Sequence, residues 1–160
     1  MIQVGDRIPE ATLRTLGDQG IEEVKTTDVF GGKKVAFIGV PGAYTPTCSN
    51  QHLPGFVDKA GQFKAKGVDE VACMAVNDPF VMKAWGESEG ALGTVKLLAD
   101  GNAELTKAMG LDFDGSGAGL GTRCKRFAML VDDGVVKALH VEDSPGSVES
   151  TNADKLLAEL

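Results

Sequence analysis

Cys48 closes the string Pro41-Gly42-Ala43-Tyr44-Thr45-Pro46-Thr47-Cys48, between an apolar run and a stretch of helical periodicity. Thr45 followed by Pro46 fits a helix N-cap and first helical position. Cys48 then falls in the first helical turn, where unpaired backbone N–H groups and the positive end of the helix dipole favour thiolate over thiol. A free thiol with pKa near 8.5 is only a few per cent ionised at neutral pH, and a downward shift of about two units makes it mostly thiolate. Such a sulfur is a nucleophile. On location alone, a small structural residue at a helix start is the alternative.

The remaining reactive side chains are few. His52 lies four residues after Cys48, on the same face of a regular helix, where it either supports the sulfur or packs and caps locally. Pro54 removes the N–H that would pair with Asn50, so a kink is expected there. Cys73 sits in the apolar string Val71-Ala72-Cys73-Met74-Ala75-Val76, where buried packing is the default. Cys124 stands in Thr122-Arg123-Cys124-Lys125-Arg126, whose cations could lower its pKa and make it a site of glutathionylation or intermolecular bonding; a tolerated substitution is the plainer account. Three widely spaced cysteines without a CxxC argue against a zinc site, a secreted disulfide framework and thioredoxin-like disulfide exchange. The Gly-rich segment from Gly115 to Gly121 matches neither GxGxxG nor GxxxxGK[ST], so it is expected to be a flexible connector rather than a nucleotide loop.

The elements around these residues follow from periodicity. Short extended pieces are expected to about Thr27, around the turn Gly17-Asp18-Gln19-Gly20. Lys34 to Val40 reads as a central strand buried on both faces. Leu53, Phe56, Val57, Ala60 and Phe63 repeat at helical spacing, and Gly67 closes that helix. A strand over 68–76 follows. Asn77-Asp78-Pro79 offers an N-cap with Pro at the first helical position for a helix through Trp85. A short strand over 95–99, a small helix capped by Asn102 and ending at Gly110, a hairpin about Asp133-Gly134 and a final helix over 152–160 complete the chain. The order strand–helix–strand–helix–strand–helix–strand–strand–helix implies a parallel half and an antiparallel half. That is α/β, thioredoxin-like topology with an N-terminal extension and one extra strand–helix unit, in a single domain over 1–160.

Bulk properties narrow the function. A length of 160 residues suits one core, and the net charge of −7 makes nucleic-acid binding unfavourable. No apolar run is long enough to span a membrane. No basic or apolar leader precedes Gly5-Asp6, so a cytoplasmic protein is the default.

Pro41-x-x-x-Thr45-x-x-Cys48 resembles the PxxxTxxC motif of the peroxiredoxins, and PGAYTPTCSNQHLPGF from Pro41 to Phe56 is similar to their type II, peroxiredoxin-five-like subgroup. The strings Lys66-Gly67-Val68-Asp69, Val76-Asn77-Asp78-Pro79-Phe80-Val81 with Trp85, Leu98-Ala99-Asp100 and Lys125-Arg126-Phe127 follow in the matching order. The resemblance implies a thioredoxin fold and reduction of hydrogen peroxide and organic hydroperoxides without metal or prosthetic cofactor. Cys48 would attack the peroxide and become a sulfenic acid. Thr45 would hydrogen-bond the thiolate and the peroxide, Arg126 would be the guanidinium beside Cys48, and Pro41 would shield the pocket from water. For Arg126 the alternative is a surface salt bridge in a basic patch with Arg123 and Lys125; three positions apart on a strand, Arg123 and Arg126 face opposite ways, so at most one reaches the site.

The resemblance also implies a homodimer and a second thiol to recycle the sulfenic acid. Some relatives use a cysteine at the position of Cys73, which would require Cys48 to leave its helical turn. Others use a C-terminal cysteine, which Ser147-Val148-Glu149-Ser150-Thr151-Asn152 lacks. An external reductant, glutathione with glutaredoxin or else thioredoxin, is therefore expected. The competing functions are a peroxide sensor or thiol-dependent binding module oxidised once, and a structural module with an unreactive Cys48.

Overall fold

The apolar run in the middle of the chain forms the centre of a seven-stranded sheet in the computed structural model, which describes residues 1–160. β1 (Thr12–Gly17) and β2 (Gly20–Lys25), the extended pieces expected on either side of the turn Gly17-Asp18-Gln19-Gly20, pair as an antiparallel hairpin. β3 (Lys34–Gly39), β4 (Glu70–Ala75) and β5 (Lys96–Ala99) are parallel, joined by α2 (Leu53–Ala65) and α3 (Pro79–Ser88). β8 (Phe127–Asp132) and β9 (Val135–Val141) form the second hairpin, with β8 antiparallel to β3. The spatial order is β2-β1-β5-β4-β3-β8-β9. This mixed sheet flanked by helices is the expected thioredoxin-like α/β architecture.

Burial explains why β3 reads as continuous rather than alternating. Ala36, Ile38 and Val40 join one core cluster with Leu53, Phe56, Phe63, Met82, Trp85 and Leu156, whereas Val35 and Phe37 join another with Phe30, Leu105, Met109 and Met129. Both faces of the strand are therefore dry, as in parallel sheets covered by helices. At Gly39, the last residue of β3, a Cβ would overlap the ring of Phe127 on the neighbouring strand.

Several local features differ from expectation. α1 (Thr26–Phe30) is a five-residue helix in the stretch expected to be extended, too short to leave a periodic signal. α4 (Glu104–Ala108) is not capped by Asn102. Ala103 takes the N-cap position in the left-handed region, and the buried Asp100 carboxylate accepts from the N–H groups of Leu105 and Thr106 and from the Thr106 hydroxyl. The Gly-rich connector is ordered: β6 (Asp112–Asp114) pairs with β7 (Thr122–Cys124), and Gly115 N–H donates to the Gly121 carbonyl at 2.7 Å. The cap of α3 is as expected, with the Asp78 side chain accepting from Val81 N–H; the final helix, α5 (Ala153–Leu157), is shorter than the expected 152–160 and is capped by the Asn152 side chain accepting from Lys155 N–H.

Asp100 satisfies two helix-terminal N–H groups from a fully buried position, so removing it leaves them without partners. Asp100→Ala should lower stability by about 2 kcal/mol in urea unfolding, with the slope unchanged. A loss below about 0.5 kcal/mol would mean that water replaces the carboxylate.

Candidate active site

Three chain segments converge at the carboxyl end of β3. Directly after that strand, Pro41 to Thr45 forms a tight loop in which Tyr44 takes a positive φ of 66°, a sparsely populated conformation for a residue with a side chain. Such strain concentrates at functional sites. The loop is braced from outside: Asn77 Oδ1 accepts from Ala43 N–H at 2.9 Å, and Arg123 Nη1 donates to the Pro41 carbonyl at 3.2 Å. The absence of a Cβ at Gly42 leaves room for that Arg123 nitrogen against the loop.

Thr45 departs from its expected bonding. Its hydroxyl donates to the Gly42 carbonyl at 2.7 Å, not to the Cys48 sulfur, and it accepts from no backbone N–H of the helix. Only its carbonyl enters the helix ladder, accepting from Ser49 N–H. With its proton committed to Gly42, the Thr45 oxygen faces the site as an acceptor.

The helix itself begins irregularly. Residues Cys48–His52 form a wide π-type turn in which Leu53 N–H donates to the Cys48 carbonyl, before α2 continues regularly from Leu53. This is how the chain accommodates Pro54, where a kink was expected. π-turns of this kind occur frequently at functional sites. Trp85 Nε1–H donates to Ser49 Oγ at 2.9 Å and fixes the turn against α3.

Cys48 and His52 both meet one guanidinium. Arg126 Nη2 donates to Cys48 Sγ at 3.1 Å, and Nη1 donates to His52 Nδ1 at 2.9 Å. Nε and Nη2 also donate to the Pro145 carbonyl, at 3.3 and 2.9 Å. Arg126 is 1% exposed, and no carboxylate lies within ion-pair distance of it. The expectation that only one of Arg123 and Arg126 reaches the sulfur holds, but for a different reason: Arg123 lies on β7, whereas Arg126 lies in the crossing to β8, outside a shared strand. Arg123 serves the Pro41 loop instead.

His52 is neutral. Burial, then the positive charge of Arg126, push its pKa from 6.5 down to about 3. Its Nδ1 accepts from Arg126, so its Nε2–H donates to the Thr151 carbonyl at 2.9 Å. It therefore holds the guanidinium and does not touch Cys48 as an acid or base. The sequence placed His52 near the sulfur but did not show this role. Asn77, Pro145 and Thr151 were not singled out at all for the site, because two of them act through backbone carbonyls.

Cys48 is fully buried, and its partner Arg126 lines a pocket of about 420 Å³ together with Pro41, Thr45, Phe113, Leu120 and Pro145. Cys73 is fully buried in β4 and shares a core cluster with Cys48; burial and the nearby Cys48 sulfur hold its thiol well above the usual range. Cys124 is also fully buried, and burial pushes its thiol up strongly. The notion of a reactive Cys124 in cationic surroundings is thereby overturned: its sulfur points inward, with its S–H on the Lys125 carbonyl, while the neighbouring cations face elsewhere. No group of three or more His, Cys, Asp or Glu side chains is placed to hold a metal ion.

A thioredoxin-like sheet carrying an isolated cysteine at the entrance of the helix that follows β3 defines a class, and the chain belongs to the Redoxin family, whose model matches residues 3–157. Within that class it is a peroxiredoxin. It is 49% identical over 165 residues to the chloroplastic peroxiredoxin-2E-2 of rice, covering 99% of this chain and 72% of that protein. Peroxiredoxin-2B of Arabidopsis thaliana is 46% identical, with 99% and 98% covered. The crystal structure of reduced Prx3 from Vibrio vulnificus in complex with hydrogen peroxide superimposes with a TM-score of 0.94 at 50% identity, covering 99% of each chain.

The neutral His52 has a consequence for stability. The unfolded chain protonates His52 near pH 6.5 and the folded chain only near 3, so its contribution is full above 6.5 and is lost as pH falls toward 3. The loss amounts to about 1.4 kcal/mol per pH unit across that window. Urea unfolding between pH 7 and 4 should show a shallower acid limb in His52→Gln than in wild type, by one bound proton. Equal slopes would show that His52 is charged in the fold.

Proposed function

We propose that this chain is a type II, peroxiredoxin-five-like peroxiredoxin that reduces hydrogen peroxide and organic hydroperoxides through Cys48. The observation that carries this reading is the 3.1 Å hydrogen bond to Cys48 Sγ from buried Arg126, which lines a pocket together with Thr45 and Pro41. The peroxide-bound Vibrio vulnificus relative and the peroxiredoxin 5 of Alvinella pompejana, at TM-score 0.82 and 36% identity over 89% of this chain, support it.

In the proposed reaction the Cys48 thiolate attacks the distal peroxide oxygen. An S–O bond forms, the O–O bond breaks, and the leaving oxygen takes a proton and departs as water or alcohol. Arg126 donates to the sulfur and to the oxygen that gains charge, while the Thr45 oxygen accepts the peroxide O–H and fixes its approach. Pro41 covers the site on the strand side and excludes water. The product is Cys48 sulfenic acid.

Recycling falls to an external thiol, glutathione with glutaredoxin or else thioredoxin. It displaces water to form a mixed disulfide with Cys48, and a second thiol then releases Cys48. Complete burial of Cys73 and Cys124 and the absence of cysteine from 147–152 support this one-cysteine route. Exposed Tyr44 and Phe80, beside the segments joined by the Ala43–Asn77 bond, offer apolar surface for pairing two copies of the chain.

Peroxide consumption by wild type, Cys48→Ser, Cys73→Ser and Arg126→Ala, with each reductant in turn, tests the mechanism. Wild type and Cys73→Ser should turn over many equivalents, Cys48→Ser none, and Arg126→Ala about 10²–10³-fold more slowly. A wild type that stops after one equivalent with every reductant is a sensor. Loss of turnover in a folded Cys73→Ser would make Cys73 the resolving thiol.

A further inference from the structure

Glu142 follows β9 and lies directly across from Arg126. Phe127 pairs with Val141, and the ladder extends one step through Glu142 N–H donating to the Arg126 carbonyl at 3.0 Å. Residues directly opposed in an antiparallel pair project from the same face. A carboxylate and a guanidinium so placed would ordinarily meet, yet they form no ion pair.

The carboxylate is engaged elsewhere. Glu142 is 8% exposed, and its Oε2 accepts from Ser150 N–H at 2.9 Å, Ser150 Oγ at 3.3 Å, Thr151 N–H at 2.8 Å and Thr151 Oγ1 at 2.7 Å. Burial alone would raise its pKa, but the Thr151 hydroxyl and these N–H groups outweigh burial and hold it below the usual carboxylate range. Four donors on one oxygen anchor residues 150–151 to the end of β9. The segment between them carries both backbone carbonyls that fix the site: Pro145 O receives Arg126, and Thr151 O receives His52 Nε2–H.

We propose that Glu142 is a positioning residue for Cys48 chemistry, tying down the 143–151 segment so that its carbonyls hold His52 and Arg126 while its own charge is kept off the guanidinium. It acts in two ways. Its bonds to Ser150 and Thr151 set where the Thr151 carbonyl, and hence His52, can stand. Because those donors hold its Oε2 toward Ser150 and Thr151, it does not draw Arg126 away from the sulfur. The proposal rests on the reading of Cys48 as the peroxide-reactive thiol.

The test follows the single tryptophan, whose Nε1 bonds to Ser49 next to Cys48 and so reports on this turn. Stopped-flow fluorescence measures the rate at which hydrogen peroxide oxidises Cys48 in wild type, Glu142→Ala, Glu142→Gln and Ser150→Ala/Thr151→Val. Alkylation of Cys48 by iodoacetamide and the thermal midpoint are measured alongside. In Glu142→Ala the ratio of oxidation rate to alkylation rate should fall about 10- to 100-fold, since a displacement of about 1 Å is enough for losses of that order. Glu142→Gln, which keeps an oxygen for the Thr151 donors, should recover most of it. The Ser150→Ala/Thr151→Val variant removes the two hydroxyl donors while the Ser150 and Thr151 N–H groups remain, and should lower the ratio by less than Glu142→Ala.

A folded Glu142→Ala with a wild-type ratio overturns the proposal, as does a Glu142→Gln no better than Glu142→Ala. If Glu142→Ala does not fold, the Gln and Ser150/Thr151 variants decide in the same way, a wild-type ratio in the latter overturning it. A wild type whose Cys48 is not oxidised by peroxide defeats the peroxidase reading and, with it, this proposal; a normal wild type with unaffected variants defeats the positioning role alone.

Discussion

A guanidinium cannot shed its proton, so burying one obliges its surroundings to supply strong acceptors or negative charge. Arg126 is buried without a carboxylate partner. Its hydrogen-bond partners are a neutral histidine nitrogen, the Pro145 carbonyl and the Cys48 sulfur. Of these, only the sulfur can carry a full negative charge. The rest of the site is arranged so that this one interaction stays intact.

That requirement orders the fold around it. β3 delivers the Pro41–Thr45 loop, the start of the helix delivers Cys48 and His52, and the crossing into β8 delivers Arg126, all at one end of the central sheet. The end of β9 and the residues after it close the ring through Pro145 and Thr151. Neighbouring loops then brace the parts that touch the sulfur: Asn77 and Arg123 hold the Pro41 loop, and Trp85 holds the helical turn. The buried cores on either side of β3 make that scaffold stiff.

The sequence disclosed what depends on periodicity and on side-chain type. Continuous apolar strands, the α2 stripe, the Asp133-Gly134 turn and the Asp78 cap were all legible. So were Cys48 and, through the family motif, Arg126. The bonding of Thr45 was not, because two acceptors compete for its hydroxyl and only the loop geometry decides between them. Capping of α4 was assigned to the adjacent Asn102, although a buried carboxylate two residues earlier reaches both N–H groups. Short elements such as α1, β6 and β7 hold too few residues to show a period. The contributions of Pro145 and Thr151 come from backbone carbonyls, which no residue type announces. The inward turn of Cys124 reflects strand orientation, which outweighs the charge of its neighbours along the chain.

The widened turn over Cys48–His52 contains, in effect, one more residue than a regular helix would fit into the same rise. Each residue advances an α-helix by roughly 100°. The extra residue therefore sets the reactive turn and the packing stripe of Leu53, Phe56, Ala60 and Phe63 at different rotational phases. A change in the length of this segment would leave the packing stripe of α2 in phase, yet would swing the sulfur out of register with its cation. Insertions and deletions, more than substitutions, are the changes that a lineage keeping this chemistry has to avoid here.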